Sequence, residues 1–280
     1  MLGGSVVDDL VASRLGDAAR GAVVSVWLGA PGGPPLLSLR SDAVHYAAST
    51  MKLPLVIAAY RRHERGELDL DQPVQVHNAF SSAYDGSRFS LDQDGDQDDE
   101  TWDRIGGTAT LRELARHAIV KSGNLATDLV LEHVGTVEVA TVLADAGCSP
   151  ATTVPRGIED APAREAGMDN LVTARDLALV IGAVATRRIA SPGSCREIED
   201  VLAAQEHRDQ VPAGLPAGTY VANKTGWVDG VAHDVALVRP GSAGAEFVLV
   251  VCSSADAPEE TLYALNAAVT AACWEEWKAR

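Results

Sequence analysis

The chain has 280 residues, 46% of them hydrophobic and 22% charged, a balance that suits one large domain or two interleaved subdomains with a sizeable core. Its formal net charge of −16 argues against nucleic acid and anionic membrane as partners. No apolar run approaches the ~20 residues of a membrane-spanning helix.

The first residues, MLGGSVVDDL, carry neither a basic n-region nor an apolar h-region, so no signal peptide is read there. A cytoplasmic location is expected, or a secreted one if the sequence begins at a mature N-terminus. Ser5-Val6-Val7-Asp8 has capping-box spacing and opens a predicted helix to about Arg20. AVVSVWLGA (22–30), a GAPGGPP turn and LLSLR (36–40) read as a β-hairpin. From about residue 43 to 212 the patterns are helical. MKLPLVIAAYRRHERG is one helix ended by Gly66, with Pro54 in its first turn. Thr110-x-x-Glu113 caps a helix to about Lys121, Leu125–Val134 forms another stopped by Gly135, and Thr173-x-x-Asp176 and Ser194-x-x-Glu197 cap two more. Strands return in TYVANKTGW (219–227), HDVALVRP (233–240) and EFVLVVCSS (246–254), and a long helix runs from about Pro258 to Trp277.

Strand-rich sequence therefore stands at both ends with a helical block between. An α+β fold follows: one five-stranded antiparallel sheet covered by the terminal helices, built from residues 1–42 and 213–280, with an all-helical domain, 43–212, inserted and packed against the sheet's edge. A site in the cleft between them is expected.

The cysteines, Cys148, Cys195, Cys252 and Cys273, are scattered without a CxxC or a Cys/His cluster, so buried free thiols are expected and no zinc or redox motif is present. The run LDQDGDQDDE (91–100) has some EF-hand character, but Gly95 is misplaced for that turn and the closing Glu is missing; a solvated acidic loop is the expectation.

The lysines are few: Lys52, Lys121, Lys224 and Lys278. Ser49-x-x-Lys52 alone is a weak signal, since about one chance match is expected in a chain this long. Two further pieces raise it: Ser122-Gly123-Asn124 at a junction of predicted helices, directly after Lys121, and Lys224-Thr225-Gly226 on a predicted strand. A serine hydroxyl is a weak nucleophile and needs a base beside it. Lys52, one turn on, is placed to supply one if its amine is neutral near pH 7. An apolar helix interior and the second ammonium of Lys224 would both push its pKa down.

With these motifs in the order S-x-x-K, S-x-N, K-T-G, the chain resembles the penicillin-recognising serine acyl-transferases, most closely the class A β-lactamases and related serine hydrolases. The resemblance implies a β-lactamase-like fold and a Ser49 acyl-enzyme that hydrolyses the amide of β-lactams. It implies Lys52 as base, Ser122 as proton shuttle to the leaving nitrogen, and Asn124 holding a substrate amide carbonyl. Lys224 and Thr225 would bind a substrate carboxylate, and the N–H groups of Ser49 and Trp227 would receive an oxyanion. It also implies no cofactor and no metal, a small-molecule partner and a monomer.

Three departures stand out. Gly123 replaces the aspartate usual between the motif's Ser and Asn. The loop VPRGIEDAPAREAGMDNLVT offers Glu159, after Arg156, as the deacylating base, with Asp160 or Glu165 as substitutes and Asn170 closing the loop where an aspartate is common. No arginine follows K-T-G on the next strand, where His233 stands as a structural partner of Asp234 or the sheet edge. Tyr84, in SSAYDGS, would edge the cleft as an aromatic wall. Within the same fold the alternatives are a DD-peptidase, an esterase, a biosynthetic transacylase, or a covalent β-lactam-binding sensor.

Overall fold

A computed structural model of the chain describes residues 4–279. Helix α1 (Gly4–Leu15) leads into the hairpin β1 (Val23–Gly29) and β2 (Pro35–Leu39). The longer helices that follow are α2 (Lys52–Glu64), α3 (Leu111–Val120), α4 (Asn124–Val134), α5 (Thr136–Ala146), α6 (Ala174–Ala185) and α7 (Pro192–Ala203). Strands β3 (Tyr220–Val228), β4 (Val231–Arg239) and β5 (Phe247–Ser254) then precede the final helix α8 (Glu259–Lys278). The sheet has the order β2-β1-β5-β4-β3 and is antiparallel throughout, so the C-terminal β5 lies beside the N-terminal β1 and the two ends of the chain close one sheet.

Alternation along the strands divides the core in two. Val24, Val26, Leu28, Ala236, Val238, Leu249 and Val251 pack with α1 and α8, whereas Trp27, Val235, Leu237, Val248, Val250 and Cys252 pack with the helical block. The inserted block therefore covers a face of the sheet, not its edge as expected, with α6 lying across β1, β4 and β5. The physical reason is written in the strands: HDVALVRP and EFVLVVCSS are near-continuous apolar runs, the pattern of strands buried on both sides.

Local corrections have local causes. Ser5 lies inside α1 and does not cap it, and the helix ends at Leu15, followed by a 3₁₀ turn over Gly16–Ala19. Helix α7 is capped by Ser191, whose side chain accepts the Ser194 N–H, with Pro192 in the first turn; Ser194 is thus a capped residue and not the cap. The capping box at Thr110/Glu113 and the Thr173 cap of α6 form as read. The insert is not wholly helical either, because three short antiparallel ladders cross it. Cys148, Cys195, Cys252 and Cys273 are free thiols, all but the half-buried Cys148 in the interior.

One ladder bears on the site. Val44–Tyr46 pairs with Leu171–Thr173, which holds the chain just before Ser49. His45 from this ladder bonds Ser25 through Nε2 (2.9 Å) and Ser254 through Nδ1 (2.8 Å), and its ring meets that of His233 edge-on at 5.2 Å. His233 Nε2 donates to the Tyr46 carbonyl at 2.9 Å. Asp234, adjacent on the strand, points the other way and takes Asn223 and the Val211 N–H, so it is no partner of His233.

Burial first, and then the neighbouring His233, hold His45 down at about 3, and burial holds His233 at about 4. Unfolded histidines titrate near ~6.5. The unfolded state therefore binds more protons between these values, and stability is lost as pH falls below ~6.5 toward 4. We expect the unfolding free energy from urea titrations to drop between pH 7 and pH 5, by of order 1–2 kcal/mol per buried ring. The drop should be shallower in His233→Asn; an equal drop in that variant would show that other groups carry it.

Candidate active site

The cleft encloses about 470 Å³ between the edge of the sheet and the inserted block. Ser49 lines it from a 3₁₀ turn, Ala48–Met51, that runs straight into α2. Several contacts fix that turn: the Ala47 N–H donates to the Asn170 carbonyl (2.9 Å), the Thr50 hydroxyl to the Ala47 carbonyl (2.6 Å), and Ala48 takes a positive φ of 43°. The Thr50 N–H closes the turn onto the Ala47 carbonyl (3.1 Å), while the Ser49 N–H at its start is available to a ligand. Gly226, on strand β3, packs directly on them. A side chain there would bring its Cβ to 2.8–2.9 Å from the Thr50 and Ser49 nitrogens, so only glycine lets the strand approach the nucleophile.

Lys52 opens α2 and has no exposed surface. Its Nζ donates to the Ser122 carbonyl (2.5 Å) and to Asn124 Oδ1 (2.8 Å) and lies 3.5 Å from Ser122 Oγ. The expected approach to the Ser49 hydroxyl makes no hydrogen bond here; the amine spends its protons on these acceptors, which leaves the lone pair of its neutral form free to take a proton. Burial lowers the Lys52 pKa to about 7, against the opposing pull of the Asp96, Asp128 and Asp98 carboxylates. The repulsion expected from Lys224 falls on Lys224 itself, whose pKa is lowered well below the usual lysine value by burial and then by Lys52. Lys224, also fully buried, donates to Ser122 Oγ at 3.0 Å and to the Thr225 carbonyl at 2.8 Å. Ser122 adopts φ +61°, unusual for a residue with a side chain, and its hydroxyl is bracketed by the two amines.

Asn124 is the first residue of α4, and Gly123 before it has no side chain with which to cap the helix. The cap comes from elsewhere. Asp96 accepts the Asn124 N–H (2.8 Å), the Leu125 N–H (2.9 Å) and the Trp102 indole N–H (2.8 Å). Asp98, fully buried, accepts the Thr101 hydroxyl and pairs with His117 Nδ1 at 2.9 Å. A Cβ on Gly123 would stand 2.8 Å from the Asp98 Cβ and Oδ2, so the Asp98 side chain occupies the space that a residue-123 side chain would need. The 92–100 loop is thus not the solvated loop expected: two of its carboxylates turn inward because a helix N-terminus and a histidine need acceptors there. The sequence hides this need, because Asn124 before Leu125 reads as a favoured cap itself.

The loop after Pro155 closes as its residues suggested. Asn170 Nδ2 donates to the Arg156 carbonyl (3.1 Å), the Arg156 N–H to Asn170 Oδ1 (3.4 Å), and the Arg156 guanidinium lies 3.5 Å from Asp169. Glu159 lines the cleft, but its Oε2 accepts the Asp92 N–H at 2.8 Å; burial pushes its carboxyl up. Asp160 is spent on structure, capping the short helix Ala161–Glu165 and accepting the Ala83 N–H. Glu165 is exposed and outside the cleft lining. Asp128, which sequence reading missed, sits under this loop with no exposed charge, accepting the Ile158 N–H at 2.8 Å; burial raises its carboxyl well above the ordinary value. Tyr84 is 61% exposed and is not part of the cleft wall; Tyr46 and Trp227 supply the aromatic surface there. Thr225 is 1% exposed and its hydroxyl has no protein partner.

The cleft thus gathers Ser49, Ser122, Asn124, Glu159 and Trp227 on its surface, with Lys52 and Lys224 behind them. Residues 7–277 match the sequence profile of the β-lactamase enzyme family. No curated protein matches the chain. Among solved structures it is similar to a β-lactamase from Sphaerobacter thermophilus, at 25% identity over 100% of this chain and 99% of that one, with a TM-score of 0.78. An ancestral class A β-lactamase aligns at 23% identity over 96% and 99% of the two chains, with a TM-score of 0.78. A protein described as PBP-A aligns at 20% identity over 97% of each chain, with a TM-score of 0.74. With the profile spanning nearly its whole length, the chain belongs to the β-lactamase enzyme family, a family of hydrolases.

Proposed function

We propose that this protein is a serine hydrolase working through an acyl-enzyme on Ser49, with the amide of a β-lactam as its first substrate. The observation that carries the reading is the Ser122 hydroxyl held between two buried amines beside the cleft that Ser49 lines. The neutral Lys52 amine takes the Ser49 proton as Oγ bonds to the carbonyl carbon. The carbonyl oxygen, now negative, is met by the N–H groups of Ser49 and Trp227. As the carbon–nitrogen bond breaks, the leaving nitrogen takes the Ser122 proton, which Lys52 restores. Water then attacks the ester, and Ser49 leaves with its proton regained. The net reaction is amide plus water to acid plus amine.

Asn124 holds the substrate's amide carbonyl, while Lys224 and Thr225 receive a carboxylate near the scissile bond. The protein acts as a monomer without cofactor. In deacylation Glu159 takes the proton from water through Oε1, the oxygen left free by the bond from Asp92. Burial raises the Glu159 carboxyl, which makes it a better proton acceptor.

That same bond favours a second reading. A carboxylate held by the Asp92 N–H is less free to swing toward a Ser49 ester, which suits a peptidase or a covalent β-lactam-binding sensor, acylated quickly and released slowly. Intact-mass measurement after mixing with a penicillin separates the two: hydrolysis without a lasting adduct supports the lactamase, and a persistent adduct supports the peptidase or sensor. Hydrolysis of simple esters or amides with neither outcome would remove β-lactams from the reading altogether.

The second-order acylation rate should rise with pH along a limb centred near 7, because the neutral Lys52 amine accumulates as pH passes its lowered pKa of about 7. Lys52→Arg, which cannot deprotonate, should lose ~10² to 10⁴ of that rate, and Ser49→Ala all labelling by a fluorophosphonate probe. A Lys52→Arg variant that retains the rate would reduce Lys52 to a charge. Glu159→Gln should acylate at near-parental rate and then stall, so that the Ser49 adduct accumulates with a substrate the parent turns over; normal turnover would remove Glu159 from deacylation.

A further inference from the structure

Beside the main cleft, behind Trp227, lies a second cavity of about 290 Å³. It opens next to strand β3 at Thr225, the neighbour of Lys224, whose amine bonds the Ser122 hydroxyl that serves the leaving nitrogen in the reaction proposed above. Thr225 lines it with a hydroxyl that is buried and without a protein partner, an expensive arrangement unless a ligand supplies the missing hydrogen bond.

The charge of the cavity is unlike that of an anion site. Asp209 and Glu259 both line it, and among the described residues no arginine or lysine does. Glu259, at the start of α8, is oriented by the Tyr263 hydroxyl, which donates to its Oε2 at 3.0 Å, leaving Oε1 to face a ligand. Burial lowers the His207 pKa and so disfavours a positive charge there, against the opposing pull of the bond from its Nε2 to the Lys121 carbonyl at 3.1 Å. Its ring lies 4.6 Å from that of Trp227 and steadies the indole as a wall of the cavity.

We propose that this cavity is a subsite for a positively charged group, an ammonium or quaternary ammonium, on the leaving-group side of the substrate, held between the Asp209 and Glu259 carboxylates and against the Trp227 ring. The Thr225 hydroxyl donates to the polar group that precedes it in the same leaving group. The inference rests on acyl transfer at Ser49 and adds to it: a carboxylate at Lys224 and Thr225 with a cation beyond it describes a zwitterionic leaving group. Two carboxylates and an aromatic face are together suited to such a charge.

The test uses two phenylacetylglycyl thioesters whose mercaptobenzoate leaving groups differ only in a trimethylammonium substituent. Thiol release gives kcat/KM, and intact mass verifies the Ser49 adduct. The parent is expected to prefer the cationic donor by about ten-fold at low salt, with the preference shrinking as salt is added. In Asp209→Asn/Glu259→Gln the preference should fall below about two-fold. Equal rates in the parent, with the Ser49 adduct formed from both donors, would overturn the cation subsite and leave acyl transfer standing. An unchanged preference in the double variant would overturn it as well. Failure of both donors to acylate Ser49 would overturn the acyl-transfer reading on which it rests.

Discussion

A lysine amine stripped of water lies at the centre of this molecule, and much of the surrounding architecture answers its demands. Taking an ammonium out of water costs several kcal/mol, which the protein meets partly by hydrogen bonds and partly by letting the amine lose its proton near neutral pH. The acceptors are a backbone carbonyl at Ser122 and the side-chain oxygen of Asn124, so the turn between α3 and α4 has to stand where it does. That turn needs Ser122 in a left-handed conformation, and the α4 N-terminus needs Asp96. The second amine, Lys224, shares the Ser122 hydroxyl, which draws strand β3 to the same point. Sheet, helix pair and acidic loop therefore meet around a single nitrogen.

The amount of carboxylate nearby is balanced. Asp96, Asp98 and Asp128 all pull the Lys52 pKa up, and burial pulls it down further than they raise it. Had those carboxylates been paired directly with Lys52, the amine would hold its proton and be no base. Instead each has other work: Asp96 caps α4, Asp98 meets His117 and Thr101, and Asp128 holds the loop at Ile158. The charge that surrounds the lysine is present at a distance and spent on structure.

Much of this was legible in the sequence because it depends on local pattern. Four lysines with two at motif spacing, apolar runs for the buried strands and caps at Thr110 and Thr173 are all short-range signals. What escaped depends on which segments meet in space. The 92–100 run looks like a solvated loop by composition, since nothing in it shows that a helix starting far along the chain lacks a cap. Tyr84 looks like a cleft residue by its position in the order of motifs, yet its loop leaves it exposed. The edge packing expected for the insert failed because an element order says which strands join, not which face is covered; the apolar continuity of β4 and β5 held that information.

Gly123 and Asp98 compete for one small volume. A side chain at one position requires that the other give way, because the Cβ of residue 123 and the carboxylate of residue 98 would stand within 2.8 Å. Two positions far apart in the chain are in this way bound into a single choice, a carboxylate delivered either by the motif itself or by the loop across from it. Among related chains the two sites should covary, with an aspartate gained at one as it is lost at the other. A motif that looks incomplete along the sequence would then be complete in space.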